Sequence, residues 1–220
     1  MHIPDGFVGN HVNAVTFVIS GAVCALAVRR AGKTMGEKQV PLMGTAAAFI
    51  FAAQMLNFPV AAGTSGHFLG ALMAALLLGP LNGCLVMAVV LIIQCLLFAD
   101  GGITAIGANI FNMGVAGGLG GWGAFRVVKA AGPKTRGWYL IAAAAASWFS
   151  IVLSASCCAM ELALSGTSEL SVALSAMAGV HALIGIGEAV ITTTVISVVM
   201  AVRPDLIEEG VLAPAEGKPA

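Results

Sequence analysis

QVPLMGTAAAFIFAAQMLNFPVAAGTSGHFLGALMAALLLGPLNGCLVMAVVLIIQCLLFA, residues 39–99, extends for 61 positions without an Asp, Glu, Lys or Arg, and its only imidazole is His67. A membrane-spanning helix needs about 20 apolar residues, so this stretch alone holds roughly three spans. Similar tracts occupy 12–28, 103–125, 138–160 and 175–202. The whole chain of 220 residues is 59% hydrophobic and 9% charged, which fits one domain and excludes an ordinary soluble one. Strand-like alternation of the membrane-barrel kind is absent, and helices satisfy their own backbone hydrogen bonds in lipid. The expected fold class is therefore all-α, a polytopic membrane protein.

Seven helices fit the pattern best, at about 12–30, 41–57, 67–79, 83–99, 103–128, 137–161 and 175–202. They form one membrane domain over 1–205, with a short cytoplasmic tail at 206–220. Pro41 suits a first helical position. The stretch 58–66, rich in Gly and Pro, breaks the chain before the short third helix, and Gly79-Pro80 stops that helix. With seven spans all ten cationic residues fall on one side: Arg29, Arg30, Lys33 and Lys38; Arg126, Lys129, Lys134 and Arg136; Arg203 and Lys218. That side is expected to be cytoplasmic, with the N-terminus outside in a cell (inner) membrane. The outer face then carries Asp5, Asp100, Glu161 and Glu169, an acidic mouth that favours cations. No charged leader with a cleavage site precedes the first tract, so Met1 is expected to be the mature terminus. The five cysteines all lie in apolar tracts without a Cys-x-x-Cys pair and read as small buried residues.

The third helix, about a dozen residues, rises only about 18–20 Å against a hydrocarbon core of roughly 30 Å. Non-helical chain at membrane depth is tolerated where it lines a cavity, which places His67 at the head of that helix, below the outer surface. Met1-His2 faces the same side. The α-amine, the His2 backbone nitrogen and the His2 ring can close a five- and a six-membered chelate ring on one cation, a planar nitrogen set that suits Ni(II) or Cu(II). Ten extended residues reach about 33 Å, so the terminus can fold back to His67, which would supply a fourth nitrogen. Taken singly, a histidine at position 2 is a common accident, and His67 could be a core histidine bonded to a carbonyl.

Met1-His2-Ile3-Pro4-Asp5-Gly6-Phe7, Gly63-Thr64-Ser65-Gly66-His67, Leu77-Leu78-Gly79-Pro80, the segment from Gln94 to Gly102, and Gly107-Ala108-Asn109 together resemble the CbiM/NikM family. These are the substrate-specific (S) components of energy-coupling factor cobalt and nickel importers, and the resemblance extends from Met1 to about position 200. It implies a seven-helix subunit whose N-terminal segment enters the pocket. It also implies a metal held by the Met1 amine, the His2 amide nitrogen and ring, and the His67 ring. Cobalt-type members often open Met-His-Ile-Met-Glu-Gly, and the departure at Pro4-Asp5 tilts the reading toward nickel. The resemblance further implies a transmembrane coupling subunit, two ATPase subunits and a small auxiliary membrane protein as partners. By the same resemblance the expected transported substrate is Ni(II) or Co(II), with no resident cofactor, no enzymatic activity of its own and no nucleic acid.

Asp5, Ser65, Gln94 and Asn109 are candidates for orienting the ligands. Asp5 could equally be a turn residue before Gly6, and Gln94, Asn109 and Asn112 could simply bond between helices. His11 and Asn10 read as solvated at the outer start of helix one. His181 and Glu188, seven apart on one helix face and roughly 10 Å along its axis, suit a structural or subunit-docking role. Small residues such as Gly21 and Ala25 could pack a coupling subunit. Two nucleotide-like strings, 27–34 and 118–123, lack the strand-to-helix context that phosphate binding requires. Two rivals follow from the same residues: a subunit or permease for an organic solute, or an intramembrane hydrolase built on His181 and Glu188.

Overall fold

The computed structural model describes residues 1–34, 36, 39–60 and 64–207. Lys38, Gly63 and Lys218 lie outside the described residues, as does the expected tail from position 208 onward. The seven-helix count holds. Helix α1 covers Asn10–Thr34, α2 Gln39–Gln54, α3 Ala71–Leu78 and α4 Pro80–Phe98. The fifth expected helix is one continuous rod made of α5 (Ile106–Ile110), a π-helical segment (Phe111–Gly120) and α6 (Gly121–Ala130). Helices α7 (Arg136–Leu164) and α8 (Leu170–Val202) complete the bundle. Four of these, α1, α4, α7 and α8, are long and apolar enough to cross a bilayer. Large apolar side chains such as Leu97 (74% exposed) and Leu183 (72%) point outward, as a lipid-facing surface requires.

The break at 58–66 is non-helical, as expected, and its described residues 58–60 and 64–66 pair as two short antiparallel strands. Strands β1 (Phe58–Val60) and β2 (Thr64–Gly66) pair with Pro59 opposite Ser65. His67 follows β2 in extended chain and is not on a helix, which corrects the expected third helix of 67–79. The cause is Gly70, held at φ +74 in the left-handed region, where a continuing α-helix cannot pass. A Cβ there would also stand 2.8 Å from Ile50 Cγ1, so the position needs glycine on two counts.

The eight residues of α3 are all buried, and α2, α4, α6, α7, α8 and the π-helical segment all pack around it. It is the pillar of the bundle, about 12 Å long. Against it lies the π-helical segment, whose extra residue per turn widens the rod and leaves carbonyls for side-chain donors. Ser154 Oγ donates to the Asn112 carbonyl at 2.7 Å and Ser150 Oγ to that of Gly117 at 2.8 Å. The string 118–123 is thereby explained as helix packing: a Cβ on Gly121 would meet Ser150 Cβ at 2.8 Å. The string 27–34 forms the last turns of α1.

Helix α4 approaches α3 most closely at Gly83, where a Cβ would stand 2.8 Å from Ala75 N and 2.9 Å from its Cα. Backbone cannot yield as a flexible side chain does. Gly83→Ala should therefore destabilise the fold by about 1–3 kcal/mol, read as a lowered Tm in detergent.

Candidate metal centre

The first nine residues thread back into the end of the bundle that carries the α4–α5 and α7–α8 connections. Met1, His2 and Ile3 are buried. Asn109 of α5 clamps Ile3 on both sides, accepting from its N–H at 2.8 Å and donating to its carbonyl at 3.1 Å. The Gly102 N–H also donates to that carbonyl at 2.8 Å. Gly6 turns the chain at φ +82, and the Gly9 N–H donates to Ser165 Oγ at 2.8 Å, while Thr167 Oγ1 donates to the Phe7 carbonyl. The segment is thus fastened to both the α4–α5 and the α7–α8 connections.

This threading gathers four nitrogens. The Met1 amine donates to the Ser65 carbonyl and lies 3.1 Å from Ser65 Oγ and 3.3 Å from His67 Nε2. Ser65 Oγ also lies 3.4 Å from the His2 backbone nitrogen and 3.5 Å from His2 Nδ1. One hydroxyl therefore sits within 3.5 Å of three of the nitrogens. The His2 and His67 rings are 4.6 Å apart between centroids. Each ring has one nitrogen committed elsewhere, and that commitment settles which nitrogen keeps a lone pair. His2 Nε2 donates to Gln94 Oε1 at 2.9 Å, so Nδ1 is the free donor atom, the one able to close a six-membered chelate with the His2 amide. His67 Nδ1 donates to the Phe68 carbonyl at 2.7 Å, so Nε2 faces the amine. Among the described residues no three His, Cys, Asp or Glu side chains gather to hold a metal. Two of the nitrogens gathered here belong to the backbone.

Burial sets the charge state of this cluster. The Met1 amine is lowered from 8.0 to about 5, chiefly by loss of water. His2 is lowered from 6.5 to about 3, first by burial and then by the neighbouring amine. The nitrogens are therefore neutral at pH 7 and carry lone pairs. Asp100 lies 3.5 Å from His2 Nδ1, and burial raises its carboxyl above the ordinary value. A cleft of about 600 Å³ leads to the cluster past Asp5, Asn57, Ser65 and Asp100.

The structure brings together Met1, His2, His67, Ser65, Gln94 and Asn109. Asp5 is corrected: its Oδ1 accepts from Thr104 N at 2.7 Å and Thr104 Oγ1 at 2.6 Å, which lowers its carboxyl, and it orients no imidazole. Glu161 does not join an exposed acidic mouth. It is buried and accepts from Asn112 Nδ2 at 2.6 Å. His181 and Glu188 are both buried, which removes the subunit-docking reading. Both Glu188 oxygens are occupied by the Leu69 and Gly70 N–H groups at 2.7 Å each, and His181 Nδ1 donates to the Met177 carbonyl at 2.7 Å. No acid–base pair is formed there. His11 is exposed, as expected.

Gly102 was missed, although the adjacent pair Gly101-Gly102 was a visible signal. A Cβ on it would collide with the Asp5 backbone nitrogen and stand 2.7 Å from the Pro4 carbonyl carbon. Gly102→Ala should push the N-terminal segment out of the bundle. The expected readout is faster hydrogen exchange at Ile3, with the helices unaffected; unchanged exchange would show that the loop simply shifts.

A family model described as "Cobalt uptake substrate-specific transmembrane region", CbiM, matches residues 2–206. A putative fused nickel transport protein, NikMN, of Archaeoglobus fulgidus is 43% identical over 211 residues, covering 95% of this chain and 68% of that protein. A putative metal transport protein of Haloquadratum walsbyi is 42% identical, covering 94% and 93% respectively. Two crystal structures described as transition metal transporters, one of them truncated, superimpose with TM-scores of 0.85 at 33% identity. The truncated one covers 91% of this chain and 99% of its own, the other 92% and 93%.

Proposed function

The chain belongs to the CbiM family, and from that premise we propose that it is the substrate-capturing membrane subunit of an importer for Ni(II) or Co(II). It is a multi-pass membrane transport protein of the cobalt/nickel type and not an enzyme. In the proposed capture the Met1 amine, the His2 amide nitrogen, His2 Nδ1 and His67 Nε2 surround the cation. The observation that carries this reading is the tautomer pair. Gln94 and the Phe68 carbonyl each take the ring N–H that would otherwise block the cluster, so both imidazoles present lone pairs inward.

The cation enters from the acidic outer cleft, loses water and displaces the proton of the His2 amide. Square-planar nitrogen coordination suits Ni(II), with Co(II) using an overlapping set. The cationic loops face the cytoplasm and the N-terminus faces out. Energy comes from partner subunits: a transmembrane coupling protein and two ATPases, with a small auxiliary membrane protein. A reporter fused after residue 207 should be active only in the cytoplasm; activity outside would reverse the orientation.

Ni(II) titration of the purified protein in detergent, followed by visible absorption, tests the ligand set. His2→Ala and His67→Ala should each abolish the square-planar band, and so should one residue added before Met1. A band retained in the extended protein eliminates the amine as a ligand.

The pH dependence follows from the lowered amine. Released, the amine holds its proton up to about pH 8; docked, only up to about pH 5. The undocked state therefore binds more protons across that window, so raising the pH favours docking and acid expels the segment. Above about pH 5 the docked protein should lose affinity about tenfold per unit of acidification, one amide proton per metal. Below it the fall should steepen to about a hundredfold per unit. A single slope through pH 5 would show that the docked amine does not titrate there.

A further inference from the structure

Glu188 lies on α8, buried at 1% exposure and outside the nitrogen cluster. Its Oε2 accepts from the Leu69 N–H and its Oε1 from the Gly70 N–H, each at 2.7 Å. Two backbone N–H donors, one on each oxygen, favour the ionised, acceptor-only form of the side chain. The Leu69 N–H belongs to the same peptide unit as the Phe68 carbonyl, and that carbonyl accepts the Nδ1 proton of His67 at 2.7 Å. In a trans peptide the N–H and C=O point in opposite directions. One peptide plane thus carries a carboxylate on its donor end and an imidazole on its acceptor end.

We propose that Glu188 is a positioning residue that acts on the metal-facing nitrogen of His67 through the Phe68–Leu69 peptide. The bond from carboxylate to amide is charge-assisted and about twice as strong as a neutral one. It polarises the peptide, so the Phe68 carbonyl becomes a better acceptor and draws harder on the His67 Nδ1–H. The result locks the tautomer with Nε2 unprotonated and strengthens that atom as a donor. Carboxylates commonly do this to metal-bound histidines directly; here a peptide group stands between. The second bond, from the Gly70 N–H, ties the adjoining peptide to the same carboxylate. Gln54 Nε2, donating to the Leu69 carbonyl at 2.8 Å, holds the next peptide in register.

The metal consequence rests on the proposed role of His67, whereas the tautomer does not, so the two can fail separately. Glu188→Gln keeps the shape but turns an amide donor toward one of the two N–H groups. In metal-free protein labelled with 15N-histidine, the wild type should show His67 as the Nδ1–H tautomer with a downfield Leu69 amide proton. Glu188→Gln should move that proton upfield and mix the tautomers, and Ni(II) affinity should fall about 10–100-fold. Gly83→Ala serves as the control, since it loosens α3 packing without touching the Phe68–Leu69 peptide. A Glu188→Gln protein that loses only thermal stability, as Gly83→Ala does, with the His67 tautomer unchanged, reduces Glu188 to a cap on α3 and overturns the proposal. Should that variant fail to fold, an Nε2–H tautomer in the wild type overturns it equally. If His67→Ala binds Ni(II) normally, the ligand assignment fails while the tautomer result still judges Glu188.

Discussion

The structure depends on burying an amine. The Met1 nitrogen sits inside the bundle against the Ser65 carbonyl, Ser65 Oγ and His67 Nε2. Taking such a group out of water is expensive while it carries charge. The fold answers in two ways: burial lowers the amine until it is neutral, and hydrogen bonds replace the lost water. Those bonds come from the hairpin, which explains why a break in the helical pattern lies where it does. A continuous helix through 58–66 would spend its carbonyls internally and leave nothing for the amine. The short strand β2 turns the Ser65 carbonyl toward it instead.

The anchors of the N-terminal segment are backbone-directed for the same reason. Asn109 reads both polar groups of Ile3, and Gly102 approaches closely because it has no side chain. Segment and bundle therefore meet as paired chain, and the position of the first two residues is fixed to within the tolerance of those bonds. The rest of the bundle supplies the wall. Helix α3, buried on every side, holds the 67–70 segment, and α8 reaches across to it through Glu188.

The helix count was legible from the apolar tracts and the placement of charge between them, and the pairing of His2 with His67 from the short third helix and the reach of the first ten residues. Helix ends were less so: α8 starts at Leu170, five residues ahead of the expected 175, since Ser and Thr near its start look like loop. The strand pairing and the π-helical segment were not legible, because neither leaves a periodicity of its own in the sequence, whereas the start of α3 could have been read from Gly70. Ser150 and Ser154 select the π geometry from the neighbouring helix. Glu161 looked like an outer-face carboxylate because it lies at the expected end of a span, but α7 continues to Leu164 and draws it inside. Asp5 looked like a partner for an imidazole, yet the nearer donors are those of Thr104. Partner choice among polar groups depends on distances that spacing does not encode.

The proposed donor set also bears on which cations pass. The cleft, with Asp5 and Asp100, attracts any cation regardless of kind. Hard ions such as Mg(II) and Ca(II) prefer oxygen and gain little from neutral nitrogens, so they have no reason to shed water at the cluster. Deprotonating an amide requires a metal that bonds strongly to nitrogen, a demand that rises along the series from Mn(II) to Cu(II). Selection in such a site is therefore sequential: charge gathers cations at the mouth, and the amide proton rejects those too weak to displace it. If the four nitrogens close in a plane, as proposed, they favour ions content with four ligands in a plane. Copper meets each of these conditions better than nickel on intrinsic affinity, so the geometry of the nitrogens by itself does not exclude it.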